Sequence, residues 1–226
     1  MSEQLINFRA EMESALLWRL NEYNHLKNVI KDDNKIAVTK VLIVMLYAHL
    51  EGFFKDCMEC YIRFINSTNR KVKEFNDSLI TATLTKQFSS FEDMNRKCKE
   101  LISVPPAEDF LHKFHRRKDL TKLFNSMYLD RQIRIRDNII NTKSNLMYSV
   151  WQENFYIVGL DEKYFHDYQF IIDKLVNLRN SVAHGSQREP IDYQEYIELE
   201  IKVFELMEEL IKYLYRYCFE EKFLSS

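Results

Sequence analysis

Apolar residues recur along this chain at helical rather than strand spacing. Leu5, Phe8, Met12, Leu16, Leu20 and Tyr23 form one stripe, which predicts a first helix over residues 5–30. Asp32, Asp33 and Asn34 then read as a turn that supplies a cap. Residues 35–65 are apolar nearly all round at their centre, so a long second helix is expected in the middle of a bundle. Residues 70–103 read as two shorter helices broken near Ser89 and Ser90, and Val104-Pro105-Pro106 ends that stretch. Helix is expected again over 109–141 and over 145–157. A further helix, capped by Asp161, carries Phe165, Tyr168, Ile171, Ile172, Leu175, Leu178 and Val182 on one face and stops at Gly185. A polar loop follows over 185–190. Asp192 and Glu195 then resemble a capping box, opening a last helix that runs to about Lys222. The pattern predicts an all-α bundle with a helical insertion and no internal repeat.

Composition narrows this picture. The 226 residues fit one domain spanning 1–226, with enough chain to bury a sizeable core. Three glycines and three prolines leave little room for tight hairpins or phosphate-cradling loops, and no P-loop, dinucleotide fingerprint or Ser/His/Asp arrangement is present. The net charge of −2 gives no global attraction to nucleic acid, so any such site must be a local patch. The N-terminus lacks a basic region followed by an apolar run, so no signal peptide is expected. Residues 41–54 are too short for a membrane span and contain His49 and Glu51. Four cysteines without a secretory context predict reduced thiols in a cytoplasm, and no membrane partner.

Four constellations can carry chemistry. Arg179, Asn180 and His184 end an amphipathic helix where more core would be ordinary. Asn180 and His184 share a face, whereas Arg179 stands ~140° around and ~7.5 Å along an ideal helix from His184. A compact site therefore needs a distorted last turn or a second copy of the helix. The plain alternative is a solvated helix end on which His184 complements the helix dipole. Glu51, an acid in an apolar run, needs a partner or an exposed position, and Lys55 lies one turn on. Between residues 111 and 136 there are eight Lys or Arg (among them Lys113, Arg116, Arg117 and Lys118) against two acids. Phe114, Phe124 and Tyr128 interleave with them. That stretch is either a phosphate-tracking surface with stacking aromatics or a solvated helical face. Cys57/Cys60 and His112/His115 have zinc-like spacing, but cysteines inside an apolar helix pack as small hydrophobes, so no metal and no cofactor is expected.

The run Arg179-Asn180-Ser181-Val182-Ala183-His184-Gly185 resembles the R-x4-6-H motif of the HEPN superfamily of all-helical domains. Tyr47-Ala48-His49-Leu50-Glu51-Gly52-Phe53-Phe54-Lys55 looks like the corresponding helix of the MAE-type bacterial HEPN-like nucleases. Thr142-Lys143-Ser144-Asn145-Leu146 and Gly159-Leu160 look like that branch as well. Residues 70–137 carry no motif of the family, so about 70–140 reads as a basic insertion. The resemblance implies a metal-independent endoribonuclease cutting RNA at a homodimer interface, in toxin–antitoxin or anti-phage defence with a possible antitoxin or defence partner. It also implies that Arg179, Asn180 and His184 are catalytic and that Glu51 orients Arg179.

Overall fold

The computed structural model describes residues 2–29, 35–93, 109–126, 128–186 and 191–225. The expected cap at Asp32 to Asn34 and the break at Val104-Pro105-Pro106 lie outside them. The described residues form eight α-helices: α1 (Ser2–Val29), α2 (Lys35–Ser67), α3 (Asp77–Thr83), α4 (Thr85–Glu92), α5 (Asp109–Asn125), α6 (Tyr148–Ile157), α7 (Gln169–Ala183) and α8 (Tyr193–Phe219). No strand occurs among them, only isolated antiparallel bridges at Lys71–Gln132 and Phe75–Leu224. The all-α expectation holds, and no described helix is long and apolar enough to cross a membrane.

Helix α2 is the axis of the molecule and touches α1, α7 and α8. Its apolar residues are buried around most of its circumference, among them Leu46, Phe53, Phe54, Cys57, Met58, Tyr61 and Ile62, while Val41, Ala48 and Lys55 mark an exposed face. The α1 stripe closes on it through Leu5, Phe8, Met12 and Leu16. α8 completes the layer with Leu199, Val203, Leu206, Leu210 and Leu214. Asp192 caps α8 by accepting from the Glu195 N–H at 3.1 Å. The Glu195 carboxylate pairs with Lys174 at 2.5 Å. α1 and α8 are joined by Tyr23 and Tyr196, whose hydroxyls lie 2.6 Å apart, and by Lys27, which donates to both oxygens of Glu200 at 2.7 and 2.8 Å.

The middle of the chain departs from the expected boundaries. The break comes at Leu84, not near Ser89 and Ser90. The Thr83 and Thr85 hydroxyls bond the carbonyls of Ile80 and Ala82, offering the backbone local partners just where α3 yields to α4. Buried Leu84 anchors the corner. Helix does not continue to residue 141. It ends at Asn125, and short turns at Tyr128–Asp130 and Asp137–Ile139 flank an extended stretch. There Ile133 and Ile135 alternate into the core, and Asn66 bonds both the N–H and the carbonyl of Ile135. Val72, Phe75, Leu79, Ile133 and Ile140 join the same core as α2, so only part of the insertion stands apart, and α5 contributes little more than half-buried Leu123.

Candidate active site on the seventh helix

α7 begins at Gln169 after a turn at His166–Tyr168. Asp161 does not cap it; its carboxylate accepts from the Lys163 N–H instead. The other end matches expectation. Gly185 takes φ +68°, its N–H bonds the Val182 carbonyl at 3.1 Å, and the Ser186 N–H reaches back to the Ser181 carbonyl at 2.9 Å. This double closure satisfies the last carbonyls and holds His184 at the cap. The helix stays regular to that point, and the His184 N–H bonds the Asn180 carbonyl at 2.9 Å. His184 is exposed, and its ring makes no hydrogen bond with the described residues. Beside the same helix face runs an open groove of about 650 Å³, lined by Phe170, Asp173, Asn177 and Ser181 among others.

Arg179 leaves the helix on the other side and is held firmly. Its guanidinium lies 3.9 Å from the centre of the Tyr47 ring, and Nη2 donates to the Ser144 carbonyl at 3.0 Å. Nε is buried without an acceptor. Tyr47 is itself fixed, because its hydroxyl accepts from the buried Leu146 N–H at 2.9 Å. Burial raises the Tyr47 pKa; the Leu146 bond opposes this, nearby Glu51 adds to it, and Arg179 opposes it, so the phenol stays protonated. Lys143 and Ser144 both take φ near +54°, a left-handed pair that turns the loop before α6 under Arg179. Asn180 Nδ2 donates to Asn145 Oδ1 at 3.2 Å in the same loop. The two stretches that resemble the nucleases, around Tyr47 and around Ser144, thus converge on Arg179 and Asn180.

A family model described as RiboL-PSP-HEPN matches residues 14–216. The chain belongs to the HEPN family. No curated protein and no solved structure matches it. The match runs through residues 70–140, which carried no motif that sequence reading could assign to HEPN proteins. Within the matched stretch α1, α2, α7 and α8 pack on one another, and Arg179 rests on α2. Gly159, in the second family-like stretch, is a structural residue. Its φ is +75°, and a Cβ there would lie 2.5 Å from Asn76 Oδ1, the atom that caps α3.

Other expected residues fall differently. Glu51 is half-buried one turn beyond Tyr47, and no ion pair joins it to Arg179 or Lys55 among the described residues; Lys55 pairs with Glu59 at 3.8 Å. The orientation of Arg179 comes from the Tyr47 ring and the Ser144 carbonyl. Of the four cations singled out, Lys113, Arg117 and Lys118 are exposed on α5. Arg116 is 5% exposed, because its position falls on the face of α5 turned inward. Tyr128 is also buried and bonds Thr83. Cys57 and Cys60 are buried in α2; burial pushes both thiols up, Cys60 to about 12. His112 and His115 lie on α5, which packs against α4 rather than α2. Among the described residues no three His, Cys, Asp or Glu are grouped to hold a metal. Sequence reading missed Asp173, whose carboxylate accepts from the Tyr148 N–H at 2.9 Å and so ties α7 to the start of α6. It also missed the Ser144 carbonyl, since a backbone acceptor leaves no side-chain signal.

Proposed function

We propose that this HEPN protein is a metal-independent endoribonuclease that acts as a homodimer. The observation that carries the reading is the split of the motif. Arg179 is locked against α2, while His184 projects from the exposed cap of an undistorted α7. A two-fold pair of such helix ends would bring two His184 imidazoles and two Arg179 guanidiniums to one cleft. One imidazole takes the proton from a ribose 2′-hydroxyl as its oxygen attacks phosphorus. The protonated imidazole of the other chain gives its proton to the departing 5′-oxygen. The guanidinium holds the negative charge on the phosphate oxygens, a task suited to its planar fork. The products are a 2′,3′-cyclic phosphate and a 5′-hydroxyl. Asn180, tied to Asn145, is a positioning residue in this scheme. A cytoplasmic role in toxin–antitoxin or anti-phage defence, with an antitoxin or defence partner, goes with this reading.

The test is cleavage of RNA by purified, partner-free protein whose mass is measured by light scattering. Activity should track the dimer, survive chelator, and vanish in His184→Ala with thermal stability changed by less than about 1 kcal/mol, since an exposed helix end adds little to the core. Arg179→Lys should lose most activity, because an ammonium cannot reproduce a two-pronged contact. A monomer that cuts, or a His184→Ala protein that cuts as well as its parent, overturns the proposal. RNA binding without cleavage would instead assign a non-catalytic HEPN binding module.

A further inference from the structure

The outward face of α5 has no role in the chemistry above, yet its composition is unusual. Phe110, Phe114 and Phe124 are 71%, 56% and 49% exposed. With Arg117 and Thr121 they fall within ~80° of one another on an ideal helix, while Lys113 and Lys118 flank this stripe on opposite sides. The Phe110 and Phe114 rings are near-parallel, 6.3 Å apart at 26°. Only one acid, Asp119, lies between residues 110 and 125, and it is engaged with His115 and Lys122 at 3.6 Å each. Lys113, Arg117 and Lys118 make no ion pair with a described residue. Three exposed phenyl rings on one helix face are costly in water unless something covers them. A cover that has flat faces for the rings and negative charge for the cations is a single nucleic-acid strand.

We propose that this α5 stripe is a single-stranded RNA-binding surface, separate from the motif on α7. Bases stack on Phe110, Phe114 and Phe124, and Lys113, Arg117 and Lys118 take the phosphates. Recognition through ring faces is indifferent to sequence, because every base has a π-face. From Phe110 to Phe124 the stripe runs ~21 Å, roughly six nucleotides at the ~3.4 Å rise of a stacked strand. The proposal deepens the ribonuclease reading by giving the substrate strand a place to lie, and rests on it only for RNA as the substrate.

Binding is measured on full-length His184→Ala protein, which leaves the RNA intact, with labelled oligoribonucleotides of 4, 8 and 12 residues. Affinity should rise steeply between 4 and 8 and little beyond. Phe110→Ala and Phe114→Ala should each weaken binding by roughly 5- to 100-fold, the range for loss of one stacked base. Their helical signal should be unchanged, since both rings are exposed. The pair Arg117→Ala and Lys118→Ala should lower the salt slope by ~0.7 per lost phosphate contact. An abasic oligonucleotide of equal length should bind less tightly than the RNA. The proposal is overturned if the parent binds no single-stranded RNA, or if the phenylalanine variants bind like the parent. It is equally overturned if those variants change only the oligomeric state, which would make the stripe a protein interface. Binding through the stripe with no cleavage by the wild type would sink the nuclease reading and leave the stripe standing. Cleavage and binding untouched by the stripe variants would do the reverse.

Discussion

Tyr47 performs two tasks that substitution can separate. Its hydroxyl accepts from the Leu146 N–H at 2.9 Å, and its ring supports the Arg179 guanidinium at 3.9 Å. Tyr47→Phe keeps the ring and removes the acceptor. The Leu146 N–H, in a fully buried residue, is then unsatisfied, which costs ~1–3 kcal/mol. A mid-range loss of ~2 kcal/mol corresponds to a Tm lower by roughly 4–8 °C for a chain of this size. Tyr47→Leu removes the aromatic face as well. A desolvated cation–π contact is worth up to ~2 kcal/mol, so the combined loss is about 3–5 kcal/mol. If ring support places Arg179 for phosphate, Tyr47→Leu should lose about 10- to 30-fold in kcat/KM, and Tyr47→Phe should lose only a small fraction of that. Thermal melts and single-turnover cleavage, both at a temperature where each variant is folded, give the two readouts. Equal losses of cleavage in the two variants would refute the assignment of Arg179 placement to the ring, as would a Tyr47→Leu protein that cuts like wild type.

Two further substitutions and one titration follow from the geometry. Gly159→Ala should destabilise by about 2–3 kcal/mol in urea unfolding, from left-handed strain of ~1–2 kcal/mol plus the displaced Asn76 cap of α3. Gly185→Ala, at φ +68° but with open space around its Cβ, should cost only the strain of ~1–2 kcal/mol; equal losses at the two sites would show that the Asn76 contact is immaterial. His49 is buried between Trp18 and Tyr23, and its pKa is lowered by burial, with Glu22 raising it and Arg19 lowering it. The folded state therefore takes up this proton later than the unfolded chain. The stability held above the unfolded value of ~6.5 is lost as pH falls from there toward the lower folded value. His49→Gln should flatten that acid limb, and an unchanged slope between pH 7 and 5 would assign it to other groups.

The long helices were legible because periodicity and burial agree: the α1 stripe and the all-round apolar α2 translate directly into Leu5, Phe8 and Met12 on one side and Phe53, Phe54 and Tyr61 inside. Helix ends were legible where side chains cap them, as at Asp192 and Gly185. The stretch from Tyr128 to Ile140 was not, because Ile133 and Ile135 alternate over too few residues to outweigh helical neighbours. At the site, residue types pointed to Arg179, Asn180 and His184, but not to what holds them. A carbonyl made available by two left-handed residues, Lys143 and Ser144, has no signature in a single sequence. Arg116 and Arg117 look alike as letters; one step of ~100° around α5 puts the first inside and the second in water.

The contact between the first and last helices bears on how the chain reaches this fold. Tyr23 meets Tyr196, and Lys27 meets Glu200, each across 173 positions of sequence. Closing a loop that long costs about 2.4 kcal/mol more chain entropy than closing one of about 12 residues, by the (3/2)RT ln n scaling. Many helical proteins are built mostly from contacts between sequence neighbours, whereas here α8, from the far end of the polypeptide, packs on both α1 and α2. The wall that α8 adds beside α1 and α2 forms only when the first and last helices have met.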